Sequence, residues 1–60
     1  MDSFDRLVQV LDALGSRVRL GLLMRLLGGK ASFTDLANSF RLNPNALNHH
    51  LKLLESAGLV

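Results

Sequence analysis

The chain has 60 residues, with seven Lys and Arg against five Asp and Glu, three aromatic residues that are all Phe, and no cysteine. A chain of this length makes one domain that buries only about 60% of the surface its unfolded form exposes. Without thiols it has neither disulfide staples nor thiolate metal sites, which points to a reducing, cytoplasmic location. The acidic start MDSFD does not fit a signal peptide, and Arg19 and Arg25 break the longest apolar stretch well short of the roughly 18 residues of a membrane span.

Leucine fills 15 of the 60 positions, Trp and Tyr are absent, and no segment alternates apolar with polar residues, so the expected class is all-α. A mean hydropathy of +0.25 is high for so small a domain. It predicts apolar surface that a partner covers, either in a homodimer or through a further C-terminal segment. Residues 13–54 hold Arg17, Arg19, Arg25, Lys30, Arg41 and Lys52 against the single acid Asp35, a basic middle that suits a polyanion.

The first helix is expected over residues 3–14, with Asp2 or Ser3 as N-cap and Phe4, Leu7, Val8, Leu11 and Leu14 on one stripe facing the core. Gly15 ends it. The second runs over 16–27 from the cap Ser16, and Val18, Leu20, Leu22, Leu23, Met24, Leu26 and Leu27 cover nearly its whole circumference, which predicts the central, buried helix. Arg19 and Arg25 on that helix are expected to lay their stems along the core and hold their heads in water. Gly28 and Gly29 stop it, and Ser32 opens a start resembling a capping box, with Asp35 in the third helical position. The third helix, over 33–40, turns Phe33, Leu36, Ala37 and Phe40 inward.

Only Arg41, Leu42 and Asn43 separate it from a fourth helix over 44–57, capped by Asn43, opened by Pro44 and stopped by Gly58. Successive residues 100° apart place Ala46, Leu47, His50, Leu51, Leu53, Leu54 and Ala57 on its core side. Asn45, Asn48, His49, Lys52 and Ser56 lie opposite, with Glu55 at the margin. A merely solvated face would carry more charge. Asn, His and Lys suit base edges and phosphates, and Asn can bond both N6 and N7 of adenine. A short helix, a three-residue connection and a longer helix with a polar outer face make a helix-turn-helix, so the reading is a four-helix helix-turn-helix domain with the fourth helix as the recognition helix.

Three segments, LDALGSRVRLGLLMRLL from Leu11 to Leu27, FTDLANSFRLNPNALNHHLKLLESAGLV from Phe33 to Val60, and within it above all HHLKLLESAGLV from His49, resemble the ArsR-type group of bacterial and archaeal winged-helix transcription regulators. The resemblance implies a dimeric regulator that binds double-stranded DNA, with the helix after the turn in the major groove. Matched position by position, it assigns base contacts to Asn45, Asn48 and His49 and places Lys52 close to the DNA backbone. The start of the third helix, including Thr34, matches a segment that touches phosphate, as a helix N-terminus can. Arg41 is expected to meet phosphate as well.

Two departures qualify the resemblance. Metal-sensing members carry a Cys-x-Cys pair where Ser32, Phe33 and Thr34 stand, and hydroxyls do not replace thiolates toward soft metals, so no metal is expected to be sensed through the third helix. The family also continues past Gly-Leu-Val into a two-stranded wing and a final helix. A chain stopping at Val60 is therefore expected to be a fragment or a trimmed domain without its wing.

The remaining chemistry is negative. Adjacent His49 and His50 diverge on a helix and do not share an ion easily, and His50 is expected to pack with one ring nitrogen bonded to a carbonyl or water. Gly29-Lys30 fails as a phosphate loop, since Met24 and Ala31 stand where Gly and Ser or Thr are needed. With both histidines on one helix there is no catalytic constellation, so neither enzyme activity nor a cofactor is expected. The alternative to DNA binding is a protein-interaction module that uses the same fold and leaves the polar face idle.

Overall fold

A computed structural model describes residues 2–60. Four helices follow one another: α1 (Ser3–Leu14), α2 (Arg17–Leu27), α3 (Phe33–Phe40) and α4 (Pro44–Ser56). Each begins at a short polar side chain that accepts from a backbone N–H three residues on. Asp2 Oδ1 takes Asp5 N at 2.8 Å, Ser16 Oγ takes Arg19 N at 3.3 Å, Ser32 Oγ takes Asp35 N at 3.0 Å, and Asn43 Oδ1 takes Ala46 N at 2.8 Å. Such a cap contributes about 1 kcal/mol by satisfying a donor the helix leaves open. At Ser32 only this half of the capping box forms, because the Asp35 carboxylate makes no return bond among the described residues. Ser16 is thus the cap before α2 rather than its first residue, and Ala57 caps α4 rather than extending it.

α3 and α4 end in the same way. Leu42 N bonds Ala37 O at 2.9 Å beside Arg41 N to Asn38 O at 3.3 Å, and Leu59 N bonds Leu54 O at 3.0 Å beside Gly58 N to Glu55 O at 2.8 Å. Both are Schellman motifs around one left-handed residue. At the end of α4 that residue is Gly58, with φ 74°. At the end of α3 it is Arg41, with φ 53°, and no glycine marked that turn in advance.

The core consists of leucines from the last three helices: Leu22 of α2, Leu36 of α3, and Leu47 and Leu54 of α4. α2 and α4 each touch all the other helices, whereas α1 and α3 do not meet among the described residues. The ring of Phe40 lies against Gly21, where an added Cβ would come within 2.7 Å of it. A side chain there would displace the Phe40 ring.

Several inward assignments are corrected by this packing. The stripe of α1 faces out: Phe4 is 71% exposed, Leu11 60%, and Leu7 and Val8 are exposed too. Only Leu14 of that stripe reaches the core, while Ala13 is the buried residue of α1. α2 is central by its neighbours but buried on one face alone, with Leu20, Met24 and Leu27 exposed. Phe33 and Leu53 are exposed as well. The physical reason is size, because three short neighbours cannot surround a leucine-covered helix. The accessible surface, 4329 Å², exceeds the roughly 3,900 Å² of a compact chain of this mass. No helix among the described residues is long and apolar enough to cross a membrane.

Candidate nucleic-acid interface

α4 owes its position to its inner side. Leu47, Leu54 and Ala57 are buried, and Leu51 packs against the same cluster. That seating leaves Asn45, Asn48, His49 and Lys52 exposed on the opposite side, together over a rise of roughly 10 Å, comparable to the width of a major groove. Thr34, in the first turn of α3, and Arg41, in the turn leading to α4, are exposed too. α3 separates those two, so the six residues form one cluster of four and two flanking positions. None of the six side chains makes a hydrogen bond within the chain among the described residues. Their donors and acceptors face water. Lys52 is the one cation among the four on α4, so this face offers hydrogen bonds more than charge.

The described surface holds no pocket and no group of three or more His, Cys, Asp or Glu placed to hold a metal. The His49 and His50 rings stand 5.7 Å apart, tilted by 58°. His49 points outward. His50 is half-buried, and a guanidinium lies against one ring nitrogen: Arg19 Nη1 is 3.4 Å from His50 Nδ1. Burial, the Arg19 charge and then His49 hold the His50 pKa below its ordinary value of 6.5.

Arg19 also departs from the expected head in water. Its Nε donates to Ala13 O at 2.7 Å and its Nη2 to Asp12 O at 3.3 Å, which closes carbonyls at the end of α1. One further hydrogen bond joins α1 to the far end of α4, and a second α1 side chain lies beside it. Gln9 Nε2 donates to Ser56 O at 2.9 Å, and the Arg6 guanidinium occupies the space a Cβ on Gly58 would fill. The usable sequence signal for these was that Arg6 and Gln9 lie opposite the apolar stripe of α1.

A short helix, a turn through Arg41 and a second helix with a free hydrogen-bonding face define the helix-turn-helix class of DNA-binding transcription regulator. Residues 16–60 match the family model described as Bacterial regulatory protein, arsR family, about three quarters of the chain, and the chain belongs to that family. The match begins at the cap of α2 and leaves α1 outside it. No curated protein and no solved structure matches the chain.

Proposed function

We propose that residues 1–60 form one DNA-reading domain of a cytoplasmic, homodimeric regulator, with α4 lying in the major groove of double-stranded DNA. Asn45, Asn48 and His49 meet base edges. Lys52 and Arg41 meet phosphates, and Thr34 at the start of α3 meets another, where backbone N–H groups favour an anion. The observation that supports this reading is the outer face of α4, where exposed polar groups with no partner among the described residues line up along a groove-sized length. The exposed stripe of α1 takes a second copy, so two α4 helices reach half-sites about one helical turn apart. No metal role is assigned to the start of α3, whose side-chain donors are hydroxyls and a carboxylate.

The exposed apolar faces of α1 and α2 favour a second reading, a protein-interaction module that leaves α4 idle. Fluorescence anisotropy with labelled duplex DNA separates the two. A DNA reader binds with strong salt dependence, and Asn48→Ala weakens a selected duplex by about 1–3 kcal/mol while affecting random duplexes less. Equal losses on selected and random DNA would remove Asn48 from base reading. No salt-dependent binding at all would leave the interaction module.

A further inference from the structure

α4 is seated by leucines, and apolar contact is non-directional, so it fixes the depth of a helix better than its rotation. Rotation matters on a reading helix, because a small turn about the axis carries Asn45, Asn48 and His49 off their targets together. Two polar ties to neighbouring helices constrain it among the described residues: Gln9 to the Ser56 carbonyl at the end of α4, and Arg19 to His50 in its middle. The second adjoins the reading face directly, since His50 follows His49 and stands two residues from Asn48.

We propose that Arg19 is a positioning residue for the reading face of α4, acting through the neutral ring of His50 and releasing that face when the ring is protonated. Arginine only donates, so the contact at 3.4 Å requires an unprotonated Nδ1 and places the ring proton on Nε2. The same guanidinium holds the Asp12 and Ala13 carbonyls, at the negative end of a helix whose last turn carries no basic residue of its own. One side chain thus refers α4 to the corner where α1 ends and α2 begins. The charges facing His50 are Arg19 from α2 and His49 from its own helix, and both oppose a second ring proton. α1 brings only the carbonyls that Arg19 already holds, and the one acid of α3, Asp35, sits at its exposed start. Because the charged ring is disfavoured in the fold, the stability from this contact is complete above the ordinary value of 6.5 and is lost as the pH falls through the lower folded value.

The positioning role rests on α4 being the DNA-contacting helix, so the test has one arm without DNA. Amide and imidazole nitrogen NMR spectra of the 60-residue chain are recorded from about pH 7.5 to 5.5, for wild type, Arg19→Gln, His50→Asn and His50→Ala. His50→Asn keeps an acceptor close to the Nδ1 position but cannot titrate. The wild-type ring should show the Nε2–H tautomer, and the Asn45 to Lys52 amides should shift together as His50 protonates. R19Q should show those shifts already at high pH, and H50N should abolish the shifts that follow the His50 ring and keep the high-pH pattern. In the second arm, anisotropy with a duplex of about 20 base pairs that the wild type selects from a random pool should show R19Q weakened by about five-fold and H50N unchanged at pH 7.5. If R19Q does not fold, the contrast between H50N, which keeps the α4 pattern, and H50A, which loses it, decides alone. Amides that ignore the His50 titration, an Nδ1–H tautomer, or identical behaviour of H50N and H50A would each overturn the proposal. Absence of wild-type binding to the duplex pool would instead fail the DNA-binding reading, with the spectra still deciding whether Arg19 orients α4.

Discussion

α1 and α4 are amphipathic helices of nearly equal length, and they turn their amphipathicity in opposite directions. α4 buries Leu47, Leu54 and Ala57 and presents Asn, His and Lys. α1 presents Phe4, Leu7, Val8 and Leu11, buries Ala13, packs Leu14 against the core, and is hydrogen-bonded through Gln9 and the Arg19 guanidinium. An apolar stripe therefore says that a helix has something to cover, not that its own chain covers it. In α4 the large residues hold the fold. In α1 all of the stripe but Leu14 lies outside it, and the helix is held by Ala13, Leu14 and polar contacts.

The largest effect that tests this contrast is truncation of the same residue type in each helix. Leu54→Ala should cost about 2–5 kcal/mol, which is most of what so small a domain has, and should leave the chain unfolded at room temperature. Leu11→Ala should change the stability of the dilute monomer by about 0.5 kcal/mol or less. Urea melts followed by circular dichroism at low protein concentration give both values. Equal losses would mean that α1 is as deeply anchored as α4 and would end the comparison.

The second test concerns what the outer face of α1 is for. In the proposed dimer, Leu7→Glu with Leu11→Glu places charges in the interface, so sedimentation should show a monomer where the wild type is dimeric. The wild-type melting temperature should rise with protein concentration and that of the double variant should not. A wild type whose melt ignores concentration would assign the α1 face to something other than a second copy.

What could be read from the sequence divides along the same line. The four caps, the turn between α3 and α4, the stop at Gly58 and the outer face of α4 were legible, because short-range patterns mark them: side-chain to backbone bonds three residues apart at the caps, backbone bonds at the two helix ends, and helical spacing along α4. The covering of the stripes was not. With leucine at a quarter of all positions, a wheel finds an apolar side on every helix, but burial depends on which neighbours arrive, and α1 and α3 never meet. Leu20, Met24, Leu27, Phe33 and Leu53 were misplaced for that reason. Arg19 was misread because its partner His50 lies 31 residues along the chain, beyond any local pattern.

The smallest effect separates stability from reading at the start of α4, as Leu11→Ala does on α1. Arg41 occupies a left-handed position at φ 53° that its neighbour in kind, Gly58, fills without strain. A side chain there costs about 1 kcal/mol, and part of what glycine would relieve is offset by its freer unfolded chain. Arg41→Gly should thus raise stability by about 0.5 kcal/mol, while in the proposed interface it removes a phosphate contact and lowers the salt slope of DNA binding by about one unit. If the variant gains stability and the slope stays the same, Arg41 is a solvated charge and only α4 and the start of α3 touch DNA. If stability falls instead, the left-handed turn is held by something other than its backbone bonds, and the parallel between the ends of α3 and α4 fails.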